Sequence, residues 1–167
     1  MAKGDLVAFL DHDDTLAPHA LGEVVLHVAA HPETDVLFSD EDRLDAAGSR
    51  ARPFFKPGWS PEFLLAAMYT CHFGVYRRSL VREIGGFRSE YDSAQDYDFV
   101  LRLAARATRI THIPGVLYHW RTLETSTAKG NLEAKPEARD AGARALENYL
   151  KLSGRAGRVE EGPVASF

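Results

Sequence analysis

A chain of 167 residues with 45% hydrophobic and 26% charged residues has the length and composition of one ordinary globular domain. Its net charge of −4 argues against general binding of nucleic acid. The single cysteine, Cys71, excludes a disulfide within the chain, and no stretch approaches the roughly 20 apolar residues of a membrane span. No apolar signal-peptide segment follows the first residues, so we expect a cytoplasmic protein.

The first predicted element is a strand over residues 6–10 that ends in a cluster of acids. The apolar run over these residues predicts a buried strand, and Asp11-His12-Asp13-Asp14 follows it directly. Three carboxylates so close together repel one another unless a cation or solvent neutralises them. Because ligands of open α/β sheets bind at the carboxyl ends of strands, the cluster predicts a divalent-metal site for a phosphate-bearing substrate. The alternative is that Asp13 or Asp14 caps the next helix.

The following elements alternate between helix and strand. An apolar stripe predicts a helix over 17–31, which Pro32 ends. A second strand is predicted over 35–39, with the acidic turn Asp40-Glu41-Asp42 after it, and a loop rich in Pro and Gly over 50–60. Ser60-Pro61 opens a short helix with serine as the N-cap and proline at the first position.

The second half continues in the same mixed pattern. Further strands are predicted at 71–76, 109–112 and 116–120, and helices at 79–84, 94–106 (capped by Ser93) and 133–151. Gly85-Gly86-Phe87 is predicted to be a turn, and the residues from Gly154 a loose tail. The order predicts a mixed α/β fold that lacks the full set of βαβ units of a nucleotide-binding sheet.

The acid cluster resembles motifs of two enzyme families. Asp11-x-Asp13-x-Thr15-Leu16 resembles the first motif of haloacid dehalogenase-like phosphatases, in which Asp11 would be the nucleophile and Asp13 the general acid/base, with magnesium at the phosphate. That chemistry also needs a phosphate-binding lysine and a later acidic pair. The candidates are Lys56, in a Pro/Gly loop, and Asp96 with Asp98, inside a predicted helix.

More of the chain resembles family 2 glycosyltransferases, which are inverting enzymes of the GT-A fold. Phe9-Leu10-Asp11-His12-Asp13-Asp14 is similar to their Asp-x-Asp region, and further segments follow in the family's order. These segments are Phe38-Ser39-Asp40-Glu41-Asp42, Lys56-Pro57-Gly58-Trp59-Ser60-Pro61, Gly85-Gly86-Phe87 with Gln95-Asp96-Tyr97-Asp98-Phe99-Val100-Leu101-Arg102, His112-Ile113-Pro114-Gly115-Val116-Leu117-Tyr118-His119-Trp120-Arg121, and Ser126-Thr127-Ala128. The likeness is closest to bacterial enzymes that assemble O-antigen, rhamnan and related surface polysaccharides.

The resemblance implies a partial GT-A sheet with flanking helices. In the family, a longer N-terminal stretch that binds the nucleotide base precedes the Asp-x-Asp region, which here begins at residue 11. We therefore expect the metal and acceptor half of the domain over 1–130, an amphipathic helix over 131–153 and a tail or linker over 154–167. We also expect the nucleotide-binding half to be absent, and a homodimer or pairing with that half. A non-catalytic remnant that only binds is a further alternative.

The resemblance also assigns candidate site residues. Asp13 is expected to bind manganese or magnesium, with Asp14 and His119 as further metal ligands. Asp11 is expected close to the ribose or the metal, and Arg121 at the diphosphate of a nucleotide-sugar donor. Asp96 is the candidate general base, although it would also complement the dipole of its helix.

The acceptor is expected to be a glycan or a lipid-linked glycan, which would place the enzyme at the inner face of the plasma membrane. Trp59 is the candidate for stacking on a sugar, with packing under its loop as the alternative. Asp40, Glu41 and Asp42 would line the acceptor side, or form a solvated turn. Asp98 is expected to pair with Arg102 one helical turn later, and His112 to be structural.

Overall fold

A computed structural model describes residues 2–121 and 136–162 of the chain, with side chains from residue 137 in the second range. The strands are β1 (Leu6–Ala8), β2 (Thr15–Leu16), β3 (Val36–Leu44), β4 (Arg50–Phe54), β5 (Gly74–Arg77) and β6 (Ile110–Arg121). The helices are α1 (Ala20–Ala30), α2 (Pro61–Ala66), α3 (Arg78–Glu83), α4 (Gln95–Ala104) and α5 (Pro136–Ser153), with a 3₁₀ turn at Ser89–Tyr91. The fold is the predicted mixture of α and β.

The described residues form two compact units. The sheet unit contains the described residues up to 59, 70–78 and 108–121, and the helical unit contains 60–69, 79–107 and 136–162. The proposed boundaries at 130 and 131 and the segment Ser126-Thr127-Ala128 lie outside the described residues, as do residues 163–167 of the tail.

The centre of the sheet unit is the pair β3 and β6. The strand order is β1-β5-β3-β6-β2, with β4 on β3; β3 runs parallel to β6, and the other pairs are antiparallel. The register of β3 with β6 continues to Leu44, opposite Arg121. The predicted acidic turn after residue 39 is therefore wrong, because Asp40, Glu41 and Asp42 lie inside β3 and are buried.

The two strands predicted on either side of Pro114-Gly115 are one strand, β6. Its register shifts from Ile113, opposite Ser39, to Val116, opposite Asp40, so Pro114 and Gly115 form an irregularity within the ladder. Proline has no backbone N–H to donate, and a bulge places it outside the hydrogen-bonded register, which is how a strand accommodates proline.

The strand predicted over 6–10 is shorter and less buried than expected. Only Leu6–Ala8 pair with β5, and this ladder ends at Ala8, opposite Val75. Because β1 lies at one end of the strand order, it has a neighbour on one side. Phe9 and Leu10 continue past the ladder and are exposed.

Helix α1 covers the core of the sheet unit with only part of its predicted apolar stripe. Ala20 and Val24 are buried against a core that includes Leu37, Val75 and Leu117, whereas Leu21 and Val25 are exposed. The helix begins at Ala20, and no side chain caps its N-terminus. The alternative in which Asp13 or Asp14 is the helix cap is therefore wrong.

Leu64, Tyr69 and Leu80 are buried in the helical unit. Helices α4 and α5 pack against each other through apolar residues on both helices. These are Phe99, Leu103, Ala141, Ala145 and Tyr149. Ser60 caps α2 as predicted, since its hydroxyl accepts from the Phe63 N–H at 3.2 Å. The predicted Ser93 cap of α4 is wrong, because Ala94 occupies that position and no side chain caps the helix.

Candidate functional site

The acid loop, residues 11–14 between β1 and β2, is held against the last residues of β6. Thr15 pairs with His119 and Leu16 with Tyr118 in the ladder between β2 and β6. The Asp14 N–H donates to the Asp11 carbonyl at 3.2 Å, which closes a turn within the loop. The short β2 thus places the acids beside the last residues of β6.

Asp14 anchors the acid loop. Its carboxylate is buried and accepts from the Tyr118 hydroxyl at 2.5 Å and from the Arg121 backbone N–H at 2.7 Å. Burial, and then the bond to Asp14, raises the pKa of Tyr118 well above its ordinary value. The role of Asp14 as a metal ligand stays a prediction; the observed contacts give it a structural role, because each oxygen already has a donor.

Asp11 and Asp13 present their carboxylates differently. The Asp11 side chain is 62% exposed and that of Asp13 28%. The basic side chains that lie near them in the described part of the chain are imidazoles: His72 Nε2 lies 3.9 Å from Asp11 Oδ2, and His12 Nδ1 lies 3.7 Å from Asp13 Oδ1. Neither contact is a hydrogen bond, so both carboxylates are open to a ligand.

Arg121 is hydrogen-bonded to the acid loop. Its Nε donates to the Asp13 carbonyl at 2.8 Å, and its backbone N–H binds Asp14. Within residues 2–121 and 136–162, its guanidinium makes no ion pair, so its charge is not used by a carboxylate there. The acid loop and Arg121 thus place carboxylates and a fixed cation side by side.

The buried acids of β3 bind side chains that come from other strands and loops. Asp40 Oδ1 contacts His112 Nε2 at 2.7 Å and accepts from the Lys56 backbone N–H at 2.8 Å. Asp42 Oδ1 lies 2.6 Å from His119 Nδ1, and its other oxygen accepts from Arg50 Nε at 2.6 Å. The structural role predicted for His112 is confirmed. Acceptor binding by the three acids stays a prediction, since their observed contacts are with the protein.

Glu41 is the centre of a buried charged cluster. Its Oε2 accepts from Lys56 Nζ at 2.9 Å and from the His72 backbone N–H at 3.0 Å. Lys56 Nζ also donates to the carbonyls of Thr70 and His72, and its side chain is fully buried. A phosphate contact by Lys56 is therefore wrong. Burial alone would raise the pKa of Glu41, but its contacts with His72 and Lys56 outweigh burial and lower it.

His72 was not predicted as a site residue. It precedes β5 and stands next to a lone cysteine, in a stretch without a motif. Only the fold shows that it lies between Glu41 and Asp11, which are far apart in the sequence.

The described residues contain no group of three His, Cys, Asp or Glu side chains that could hold a metal ion. His119 and Asp13 both belong to the sheet unit, but within the described ranges they are not part of a group of three candidate metal ligands. Trp59, the predicted sugar platform, is half-buried in the loop before α2 and has protein contacts.

In the helical unit, Asp96 and Asp98 have different environments. Asp96 is exposed in the first turn of α4, as predicted. Asp98 is buried and accepts from Arg102 Nε at 2.9 Å, which confirms the predicted pair, and it also binds Arg88. Arg102 donates to the carbonyls of Ile84 and Gly86, each at 2.6 Å. The pair therefore ties the turn before α4 to the helix.

Comparison with known families identifies the chain. A model of glycosyl transferase family 2 matches residues 1–85, just over half of its length. The chain belongs to glycosyl transferase family 2. Membership makes the phosphatase interpretation wrong, and the burial of Lys56 agrees, because the lysine required by that chemistry cannot reach a substrate.

Two relatives match nearly all of this family 2 chain. It is 46% identical over 158 residues to the O-antigen biosynthesis protein RfbC of Myxococcus xanthus, and 43% identical over 167 residues to the uncharacterized protein y4gI of Sinorhizobium fredii. These alignments cover 94% and 98% of the chain. The chain spans only 12% of RfbC and 18% of y4gI.

Solved structures show the same fold. The chain is similar to S. aureus TarS 1-349 in complex with UDP-GlcNAc, with a TM-score of 0.67 and 20% identity over 89% of this chain and 43% of that one. The complex of TarS 1-349 with UDP gives a TM-score of 0.65 at 19% identity. The family 2 chain thus has the sheet and flanking helices of a glycosyltransferase fold. No helix within the described ranges is long and apolar enough to cross a bilayer.

Proposed function

We propose that this family 2 chain carries the metal- and diphosphate-binding part of a glycosyltransferase. The observation that carries the proposal is the acid loop, which has two open carboxylates and whose Asp13 carbonyl accepts a hydrogen bond from the Arg121 guanidinium. The relative RfbC, named for O-antigen biosynthesis, and the TarS complexes with UDP-GlcNAc and UDP support a nucleotide-diphospho-sugar donor and a glycan or lipid-linked glycan acceptor.

The acid loop fits a divalent cation such as manganese or magnesium. Magnesium sites on phosphate substrates use one or two carboxylates and complete the coordination with phosphate oxygens and water, so a cage of three protein ligands is not required. Asp13 would be the carboxylate ligand. When bound, the cation neutralises charge on the leaving diphosphate.

His119 fits a second ligand because of its contact with Asp42. The 2.6 Å contact between Asp42 Oδ1 and His119 Nδ1 favours the tautomer in which Nδ1 carries the proton, and Nε2 then keeps its lone pair. Metal-binding histidines are commonly oriented by a carboxylate in this way. We assign Asp42 to the orientation of His119.

Arg121 would bind the diphosphate and Asp11 the nucleotide. A guanidinium offers several N–H donors in a plane, and the bond from Nε to the Asp13 carbonyl holds it at the acid loop.

Asp96 is the proposed general base. An acceptor hydroxyl would transfer its proton to the Asp96 carboxylate as its oxygen bonds to the sugar's anomeric carbon, and the bond to the diphosphate would break with inversion. The exposed position of Asp96 at the start of α4 supports this role. The ion pair of Asp98 and Arg102 holds the preceding turn, because Arg102 also donates to the Gly86 carbonyl.

Self-association of the chain, or its pairing with a further segment, stays a prediction that a measurement of its mass in solution would test.

The decisive experiment is calorimetric titration with manganese, with and without UDP. We expect UDP to strengthen manganese binding in the wild type, and Asp13→Ala to weaken it at least about tenfold. Asp140→Ala is the matched control, because Asp140 is exposed on α5. Binding that is equal in all three proteins, or absent from the wild type, would refute the proposed metal and diphosphate site.

A further inference from the structure

His72 is held rigidly although it belongs to no predicted motif. Its ring stacks on Tyr118, with centroids 4.7 Å apart and planes at 17°, and lies 5.5 Å from the ring of Trp120. Its backbone N–H donates to Glu41, and its carbonyl accepts from the buried Lys56. Ring and backbone are therefore fixed by groups from β3, β6 and the loop before α2.

The two ring nitrogens of His72 face two carboxylates. Nδ1 lies 3.6 Å from Glu41 Oε2, and Nε2 lies 3.9 Å from Asp11 Oδ2. Nδ1 is buried without a hydrogen-bond partner among the described residues, so packing alone does not explain a polar ring at this position. A phenyl ring would make the same stack on Tyr118 without leaving a buried nitrogen unbonded.

The charges around the ring favour its cationic form. Glu41 and Asp11 are acidic, Lys56 is basic and already bound to Glu41, and the Tyr118 hydroxyl donates to Asp14. Burial would lower the pKa of His72, but its contact with the Glu41 carboxylate raises it above the ordinary value, with a smaller contribution from Asp11.

We propose that His72 is a positioning residue that holds the Asp11 carboxylate in the orientation needed for the donor. The ring is fixed on its face by Tyr118, and its Nε2 lies 3.9 Å from Asp11 Oδ2. This inference rests on the proposed function, in which Asp11 contacts the nucleotide. His72 acts through Asp11 and does not itself touch the substrate.

The test compares two substitutions by the affinity for UDP in the presence of manganese. His72→Phe keeps a ring on Tyr118 and removes both nitrogens, and we expect it to weaken UDP binding about fivefold, the effect of one partly exposed ion pair. His72→Gln keeps an N–H donor, and we expect it to recover part of this loss. His19→Gln is the control, since His19 is exposed and its side chain caps nothing.

A double-substitution cycle with Asp11→Asn separates positioning from general support of the fold. If His72 acts through Asp11, His72→Phe will cause no further loss of UDP affinity in the Asp11→Asn background. Equal losses in both backgrounds, or wild-type affinity in His72→Phe, would overturn the role of His72.

A ligand-free measurement keeps this failure distinct from failure of the proposed function. The NMR titration of the His72 ring should shift to lower pH in Asp11→Asn and remain unchanged in His19→Gln. An unchanged His72 titration in Asp11→Asn would overturn the inferred contact. If the wild type does not bind UDP, the proposed function and the positioning role both fail. The NMR shift, if it is seen, would then establish only the contact between His72 and Asp11.

Discussion

At the scale of single residues, the acidic side chains fall into two groups that differ in what they contact. One group is buried and accepts hydrogen bonds from protein donors, and the other is at least partly exposed to solvent. A buried carboxylate is stable only when donors replace its lost water, whereas an exposed carboxylate keeps its capacity for a ligand. The first group consists of Asp14, Asp40, Glu41, Asp42 and Asp98, and the second includes Asp11 and Asp13.

The two aspartates of α4 should respond to substitution in opposite ways. Asp98→Ala leaves Arg102 and Arg88 without their carboxylate, and we expect a loss of about 3–5 kcal/mol in the free energy of unfolding. Asp96→Asn should change that free energy by less than about 0.5 kcal/mol and abolish sugar transfer. Urea unfolding and a transfer assay check the pair. Full activity in Asp96→Asn would exclude it as the base.

The Glu41–His72 contact predicts a pH window of stability. The pKa of Glu41 is lowered from its ordinary 4.5, so its contribution is present above that pH and is lost as pH falls through the folded-state value. The pKa of His72 is raised from 6.5, so its contribution is present below that pH and is lost as pH rises through the folded-state value.

We therefore expect the unfolding temperature to be highest between about pH 4.5 and pH 6.5. Thermal unfolding from acid to mildly alkaline pH measures the profile, with His19→Gln as the control. His72→Phe should flatten its alkaline side. An alkaline decline of the same size in His72→Phe would show that other groups cause it.

At the scale of elements, sequence patterns predicted the helices better than the strands. The cap of α2, the first turn of α4 and the turn at Gly85-Gly86 depend on residues within a few positions of one another, and local signals were sufficient. The length of β3 was missed because Asp40-Glu41-Asp42 resembles a solvated turn.

Those acids are stable inside β3 only because distant residues supply their partners. His112 and His119 come from β6, more than 70 positions later, and Lys56 comes from the loop before α2. The same limit applies to the site. A motif located Asp11 and Asp13, whereas the partners of Asp14 and the position of His72 depend on strand register that no local pattern contains.

Two glycines should give opposite results on substitution by alanine. Gly86 has a φ of +73° and sits in the turn held by Arg102, so Gly86→Ala should destabilise the protein by about 1 kcal/mol. Gly22 lies in α1, where an added Cβ would enter open space, so Gly22→Ala should stabilise by about 0.5–1 kcal/mol. Urea unfolding measures both. Equal effects would contradict the backbone argument.

At the scale of the whole molecule, this family 2 chain has relatives that are much longer. It spans 12% of RfbC and 18% of y4gI, and 43% of the TarS 1-349 chain in complex with UDP-GlcNAc. The acid loop and Arg121 belong to the sheet unit, and Asp96 belongs to the helical unit. The division into segments 1–130, 131–153 and 154–167 stays a proposal. It is also a proposal that this chain has the activity of its longer relatives.

Binding at the acid loop should be visible in the stability of the entire chain. A ligand that binds only the folded state stabilises it by about 2.7 kcal/mol at a concentration one hundred times its Kd. We expect UDP with manganese to give this gain in the wild type and in Asp140→Ala, and a gain at least about 1.3 kcal/mol smaller in Asp13→Ala, which follows from a tenfold weaker affinity. Removing the metal with EDTA should abolish the gain, because the diphosphate and Asp13 would then face each other as anions without a cation. A gain that persists in EDTA would show that Arg121 and its neighbours bind the diphosphate without metal.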